Sequence, residues 1–309
     1  ILSGSDVANF LACRHLTGLD LDVAERTREA PKWKDPALEV LQERGFEHER
    51  QYVESLRSQG LNVVDLTTDN FEQREGELLE EMRRGTDVIV QPTFKVGRWF
   101  GRPDLLRRVD VESELGNWSY EVVDTKLAVE TRGGTILQLA LYSDMLGTMQ
   151  GRVPESFHVV TPDVTSPIQT YRFADFAAYC RYVRERMEST VPLGAKAIQD
   201  ANYPAPVEHC DICRWWSTCK SRRRGDDHLS LVAGISRLQV GELEVADIST
   251  LAALGSLPGP ITFKPRRGTP ESFERVRNQA RVQLAGRESK LPVHELLALE
   301  ENQGLARLP

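Results

Sequence analysis

The sequence predicts a mixed α/β domain, in which helices flank a central sheet, followed by a smaller helical region. Helical and strand-like segments follow one another in the order α-β-β-β-α-β through most of the chain. Short runs rich in Val and Ile, separated by turn residues, are typical of strands, whereas the C-terminal part shows helical patterns. We therefore expect one α/β domain over residues 1–225 and a helical region over residues 226–309.

The composition is that of a globular protein, and it limits the function. The 309 residues are 40% hydrophobic and 28% charged, which suits one large and one smaller domain. No apolar run is long enough to cross a bilayer and no signal peptide fits, so we expect a cytoplasmic protein without a membrane partner. The start at Ile1 suggests part of something longer. The net charge of -7 argues against a basic surface for duplex binding, although arginines cluster between Arg98 and Arg108 and between Arg214 and Arg224.

Two helices are expected near the N-terminus. Ser5 or Asp6 would cap a short helix that ends near Cys13. A longer helix should run from about Asp35 to Gln59, because Pro and Gly residues supply its start and stop signals.

The long helix carries a candidate ligand. Its residues Leu41, Gly45, His48, Tyr52 and Leu56 recur at intervals of three and four, so they should share one stripe. His48 would then face the interior, as a hydrogen-bonded core residue or as a metal ligand. A small Gly45 one turn earlier would let that face approach a sheet closely.

Most of the remaining segments are predicted as strands. LNVVDL reads as a first strand, and a polar helix follows from about Asn70 to Arg84. Three consecutive antiparallel strands are then expected in DVIVQPTF, RPDLLRRVDV and WSYEVVDTKLA. After the apolar helix TILQLALYSDMLGTM come two more strands, SFHVVTP and IQTYRF, and a helix over residues 174–199 with Cys180 in its core pattern.

The chemistry is expected where two of these strands meet. Asp124 and Lys126 are two residues apart in a strand, so their side chains point to the same face, and Asp104 lies one hairpin earlier. Two carboxylates and a lysine form a compact site for a divalent cation, a water and a phosphate. Asp104 and Asp124 would hold the metal, with the Thr125 carbonyl as a third oxygen ligand. Lys126 would orient the attacking water and offset charge on the phosphate.

The apolar helix adds two polar residues. Gln138 and Tyr142 are spaced four apart and share one face. They either contact the site or satisfy each other at the helix edge.

The cysteines suggest a metal or a cluster. Cys210, Cys213 and Cys219 form C-x2-C-x5-C, and Cys13 is the natural fourth ligand. Four thiolates suit either zinc or a 4Fe-4S cluster. If zinc is bound, His209, His15 and His228 are reserve ligands.

Together these motifs resemble the RecB-like branch of the PD-(D/E)XK nucleases. The matching features are G-F-E-H with His48, G-R-P-D with Asp104, D-T-K with Asp124 and Lys126, and Q-L-A-L-Y with its Gln and Tyr. One cysteine before this core and three after it make the chain similar to members with an iron-sulfur cluster, such as the CRISPR-associated adaptation nuclease and the AddB nuclease domain.

The resemblance implies a restriction-endonuclease-like core and a role for each residue. His48, Asp104 and Asp124 would bind Mn²⁺ or Mg²⁺, Lys126 would serve the water and the scissile phosphate, and Gln138 with Tyr142 would contact the nucleic-acid backbone or orient the lysine. The cluster would be structural. The implied reaction is hydrolysis of DNA with single-stranded ends, in repair, recombination or defence.

Other readings stay open. The C-terminal region contains ADISTLAAL, which is similar to a helix-hairpin-helix element, and the layout is similar to proteins that continue into a helicase. A catalytically silent nucleic-acid-binding scaffold for a helicase partner is therefore one alternative. A zinc-stabilised RNA-processing protein is another.

Overall fold

The fold is described by a computed structural model for residues 1–32, 36–66 and 70–296. The chain divides into two compact units, Ile1–Tyr203 and Pro204–Pro309. Among the helices in these described ranges, none is long and apolar enough to cross a membrane.

The first unit is a mixed α/β fold, as the sequence predicts. Its strands are β1 (Leu2–Ser3), β2 (Val63–Asp65), β3 (Val88–Val90), β4 (Phe94–Val96), β5 (Trp99–Gly101), β6 (Leu105–Val109), β7 (Ser119–Thr125), β8 (Ser156–Val160) and β9 (Ile168–Arg172). Its α-helices are α1 (Gly4–Ala12), α2 (Arg14–Ala24), α3 (Pro36–Ser58), α4 (Phe71–Arg84), α5 (Gly133–Gln150), α6 (Phe173–Thr190) and α7 (Ala195–Ala201).

The main sheet has the strand order β2-β3-β6-β7-β8-β9. β7 pairs antiparallel with β6 and parallel with β8, so it lies inside the sheet. Helices cover both of its faces. Val122 is buried in a core shared with α5, whereas Val123 is buried with Val53 and Leu56 of α3. Because side chains alternate along a strand, Asp124 belongs to the α5 face of the sheet.

α5 is the crossover between the parallel strands β7 and β8. It is buried on most of its circumference, as its apolar sequence predicts. A crossover helix begins beyond the C-terminal end of the strand before it. The first turns of α5 therefore start near the end of β7.

The segment DVIVQPTF is divided between two strands, which corrects the expected single strand. β3 belongs to the main sheet, whereas β4 pairs with β5 in a separate small sheet. The backbone changes direction at Gln91, which has a left-handed φ of 53°, and Pro92 follows. A proline lacks the N–H that a continuing ladder needs.

Two helical expectations also need correction. α1 begins at Gly4 with Ser3 as its cap, and Asp6 completes the capping box by accepting from the Ser3 N–H. The helix expected over 174–199 is broken after Thr190, because Pro192 and Gly194 interrupt it before α7. Asp35, the expected start of the long helix, lies outside the described residues.

The apolar stripe of α3 is also shorter than its pattern predicts. Leu56 is buried, but Leu41 is 51% exposed. A Cβ atom added to Gly45 would meet nothing within 4 Å, so this glycine does not permit a close approach to the sheet. Only the second half of the helix packs on the sheet, and His48 lies where this packing begins.

The second unit is helical within the described ranges. Its α-helices are α8 (Trp216–Gly225), α9 (Arg237–Val245), α10 (Leu251–Gly255) and α11 (Pro270–Ser289). Two short helices around a turn, expected in ISRLQVGELEVADISTLAALGSLP, are confirmed as α9 and α10. The compact units divide after Tyr203, so segment 204–225 packs in the same unit as the helical region, and the expected domain boundary at residue 225 stays a prediction. Arg237 of α9, for example, donates to the Pro206 carbonyl at 3.1 Å.

Candidate active site

The pairing of β6 with β7 brings two carboxylates together. Leu105 pairs with Val123, so Asp104, one residue before β6, lies opposite Asp124. The N–H and the hydroxyl of Thr125 donate to Asp104 Oδ2 at 2.7 and 2.8 Å. These two bonds fix the orientation of the Asp104 carboxylate, and both of them use Oδ2 rather than Oδ1.

Asp124 is the most buried acidic residue of this group, with 2% of its surface exposed. Its Oδ2 atom forms an ion pair with Lys126 Nζ and accepts no further hydrogen bond from the residues that the structure describes. Burial, and then the charge of Asp104, raise the pKa of Asp124 to about 7. Two carboxyl groups this close repel each other when both are ionised, which a bound cation would relieve.

Lys126 supplies the positive charge of the site. Burial alone would lower its pKa, but Asp124 and Asp104 outweigh burial, so the pKa of the ammonium is raised. Nζ also donates to the Thr125 carbonyl at 3.2 Å, and the Lys126 N–H donates to the Val160 carbonyl at 2.8 Å. Lys126 is therefore a fixed, protonated group at neutral pH.

The donor set fits a hard divalent cation with an incomplete protein shell. In the described ranges, no group of three or more His, Cys, Asp and Glu side chains is arranged to hold a metal. Asp104 and Asp124 nevertheless face each other, and the buried Oδ2 of Asp124 has spare acceptor capacity. Mg²⁺ is commonly bound by one or two carboxylates and completes its shell with water and substrate phosphate. Such an ion fits here.

His48 reaches the same end of the sheet from α3. Its Nε2 atom lies 3.3 Å from the Val160 carbonyl oxygen, which also accepts the Lys126 N–H. The ring is half-buried. The structure thus brings His48 beside the strand end that carries the site, and its role as a metal ligand stays a prediction.

Gln138 and Tyr142 satisfy each other and also border the site. Gln138 Nε2 donates to the Tyr142 hydroxyl at 3.1 Å. Burial raises the pKa of Tyr142, the nearby Asp124 adds to the shift, and the Arg102 N–H also donates to the hydroxyl. Tyr142 therefore links α5 to the segment that leads into Asp104.

Sequence reasoning missed two polar residues beside the site, Gln91 and Glu49, whereas Arg102 belongs to the arginine cluster that the sequence already showed. Gln91 Nε2 donates to Glu49 Oε1, and Arg102 Nε donates to Gln91 Oε1 at 3.1 Å. Burial and the charge of Asp104 raise the pKa of Glu49, so this carboxylate belongs to the same electrostatic group. The Gln91 N–H donates to the Asp104 carbonyl at 2.7 Å. Glu49 follows His48 directly, but no pattern shows which of two adjacent helix residues reaches a site.

The cysteines are distributed between the two units. Cys13 lies between α1 and α2, whereas Cys210, Cys213 and Cys219 belong to the second unit. All four are half-buried. Val207 N–H lies 3.4 Å from Cys210 Sγ. Cys180, in contrast, is buried as expected, and burial raises the pKa of its thiol to about 11.

Two of the reserve histidines have contacts inside their own units. His15 is buried and its Nδ1 atom lies 2.7 Å from the Asn202 carbonyl oxygen. His228 is also buried, and its Nδ1 atom accepts from the Ser230 N–H at 3.0 Å. His209 lies in a short 3-10 helix, Glu208–Asp211. In both buried rings the hydrogen bond engages Nδ1, and the role of these histidines as reserve zinc ligands stays a prediction.

Comparison with known proteins places this site in a family. No curated protein gives a match to the chain. Residues 12–220 match the PD-(D/E)XK nuclease superfamily, and this range contains strands β2 to β9 and the carboxylates of Asp104 and Asp124. Because the match spans more than half of the sequence, the chain belongs to the PD-(D/E)XK nuclease superfamily, whose members are metal-dependent nucleases.

Proposed function

We propose that the chain is a metal-dependent deoxyribonuclease that acts on DNA with single-stranded ends, as an exonuclease. One observation carries the proposal: Asp104, Asp124 and Lys126 meet at one end of the sheet in a chain of a nuclease superfamily. Two carboxylates with an adjacent ammonium match what phosphodiester hydrolysis requires, which is a cation, a water and compensation of phosphate charge.

Asp104 and Asp124 would hold the metal ion, with the Thr125 carbonyl and His48 as further ligands. Bound Mg²⁺ or Mn²⁺ would supply Lewis-acid polarisation of the phosphate and acidify a water molecule. A histidine ligand makes Mn²⁺ at least as suitable as Mg²⁺. The Thr125 clamp on Asp104 Oδ2 keeps the first carboxylate in place before the ion arrives.

Lys126 would act on the phosphate rather than as a base. Its pKa is raised, so it remains an ammonium and can orient the attacking water and stabilise the negative charge that develops on the phosphoryl oxygens. Tyr142 and Gln138 would fix the position of α5 relative to the segment that contains Arg102 and leads into Asp104, because their hydrogen bonds join these two segments.

The cleavage assay for this proposal uses end-labelled single-stranded DNA, duplex DNA and RNA of one sequence. We expect loss of single-stranded DNA with Mn²⁺ or Mg²⁺ and none with chelator. The position of the label then gives the polarity. Cleavage of RNA alone would favour an RNA-processing protein instead. DNA binding without cleavage under any condition would favour a nucleic-acid-binding scaffold for a helicase domain or subunit.

We further propose that Cys13, Cys210, Cys213 and Cys219 hold a 4Fe-4S cluster. The matched range, 12–220, contains all four cysteines, and three of them lie between residues 210 and 219. Closely spaced thiols in a chain without disulfide-rich character favour a metal or a cluster.

Metal analysis of the full chain, purified without oxygen, separates the cluster from zinc. We expect a brown protein that contains iron and acid-labile sulfide, and we expect the Cys213→Ser variant to lose iron. Cys180→Ser is the matched control, because Cys180 is buried in the core and should not affect iron content. A colourless protein with stoichiometric zinc would overturn the cluster.

A further inference from the structure

Helix α6 presents two large aromatic side chains to solvent. Tyr179 and Tyr182 are each 53% exposed. The buried residues of the helix, Ala177, Cys180, Val183 and Met187, lie on its other side and account for its packing on the unit. The two tyrosines are therefore not needed for the core, and Arg186 extends the same exposed face by one turn. We refer to Tyr179, Tyr182 and Arg186 as the α6 ridge.

The ridge is ordered as a stack. The two phenol rings have centroids 6.3 Å apart and planes inclined by 24°. The guanidinium carbon of Arg186 lies 5.8 Å from the centre of the Tyr182 ring. Among the residues that the structure describes, none pairs with the Arg186 guanidinium or hydrogen-bonds either tyrosine hydroxyl. Scattered surface tyrosines are ordinary, whereas parallel exposed rings followed by an unpaired cation form a built surface.

The same helix is fixed to the segments that form the active site. In its second half, Glu188 accepts from Trp99 Nε1 at 2.6 Å, and Trp99 belongs to β5, the strand that leads into Asp104. Arg184 forms an ion pair with Asp144 of α5 at 2.7 Å, on the helix that carries Tyr142. The ridge is thus held by rigid elements that also position the carboxylates.

We propose that the α6 ridge is a stacking platform for single-stranded nucleic acid. A base would stack on the outer face of the Tyr179 ring, which ends the stack, because Tyr179 and Arg186 already cover the two faces of Tyr182, and Arg186 would contact a phosphate. Flat aromatic faces beside a cation suit unpaired bases, because duplex bases already have their faces covered by neighbouring bases. The inference rests on the proposed nuclease function and specifies its substrate as single-stranded.

The test measures binding separately from cleavage. The full chain is titrated with a fluorescent thymidine oligonucleotide, and with a labelled duplex of the same length, in the presence of chelator so that nothing is hydrolysed. The Tyr179→Ala/Tyr182→Ala variant should bind the single strand roughly 10- to 100-fold more weakly, with duplex binding unchanged. The Tyr179→Phe/Tyr182→Phe variant keeps both rings and should stay within about twofold of the wild type.

Three outcomes would overturn the ridge. If the alanine variant retains wild-type binding of the single strand, or loses single-strand and duplex binding equally, stacking is not what the tyrosines provide. Disruption of an oligomer in sedimentation, with single-strand binding intact, would assign the ridge to a second copy of the chain. Unchanged duplex binding by the alanine variant shows that this variant is folded, and the Phe variant, which removes only hydroxyls, shows whether the rings are what binds.

Failure of the ridge and failure of the nuclease are distinguishable. If the protein binds single strands through the ridge but cleaves no nucleic acid with any metal, the nuclease proposal fails and the platform stands. If the alanine variant cleaves single strands with the wild-type KM, the platform fails and the nuclease stands.

Discussion

Replacement of Lys126 by methionine is expected to reduce DNA hydrolysis by about 100- to 1,000-fold at saturating metal. Methionine has a similar length but no charge, so it removes the ammonium that pairs with Asp124 and would stabilise charge on the phosphate. The effect should fall on kcat, because a charge that builds up in the transition state is the target of this interaction.

Metal binding by the Lys126→Met variant distinguishes a residue that acts on the phosphate from a residue that holds the metal. Without Lys126, Asp124 and Asp104 keep their positions on β7 and before β6, so the variant should still bind Mn²⁺, measured by calorimetry. Lys196→Met is the matched control, because Lys196 is exposed and pairs with Asp200 within one helix. Full activity of Lys126→Met, or the same loss in Lys196→Met, would contradict the assigned role.

The site is predictable from sequence where it depends on strand geometry. The period of a strand puts Asp124 and Lys126 on one face, and antiparallel pairing puts Asp104 opposite Asp124. Both follow from local rules that need no tertiary information. The pairing of Gln138 with Tyr142 follows in the same way from helix spacing.

The parts that sequence did not predict depend on tertiary packing. Gln91 takes a left-handed backbone that a strand pattern cannot indicate, and this conformation turns the chain toward β4. Glu49 reaches the site because the second half of α3 packs on the sheet. Leu41, an apolar residue in the first half of the same helix, remains exposed. Periodicity identifies a helix face but does not tell where along the helix burial begins.

The cysteines illustrate a different limit. Spacing groups Cys210, Cys213 and Cys219, because ligands close in sequence are close in space. Cys13 lies far from them in sequence and in the other compact unit, so spacing does not select it. The assignment of the cluster therefore depends on measured iron rather than on spacing.

Replacement of Asp124 by asparagine is expected to stabilise the metal-free protein while it abolishes activity. Breaking a buried ion pair usually destabilises a protein, because it leaves one charge without a partner. Here burial and the neighbouring Asp104 outweigh Lys126 and raise the pKa of Asp124, so the ionised carboxylate is unfavourable in the folded state. Lys126 is partly exposed and can be hydrated. We expect a gain of about 1–3 kcal/mol at neutral pH.

The gain should depend on pH in a defined direction. Below the unfolded pKa of 3.8 Asp124 is protonated in both states, so wild type and variant should have equal stability. As the pH rises toward about 7, Asp124 ionises in the unfolded chain but stays protonated in the folded protein. The wild type therefore loses stability relative to the variant. Urea unfolding in chelator, repeated from acid to neutral pH, measures this difference.

Added metal should make the wild type more stable than the Asp124→Asn variant. A divalent ion that binds the folded site at a hundredfold excess over its Kd stabilises the wild type by about 2.7 kcal/mol, and much less the variant that lacks one carboxylate. Asp144→Asn is the matched control, since it removes a carboxylate that pairs with Arg184 and should gain no stability in chelator. If Asp124→Asn were less stable than the wild type at neutral pH without metal, or equally stabilised by Mn²⁺, then Asp124 would be a structural partner of Lys126 rather than a metal ligand.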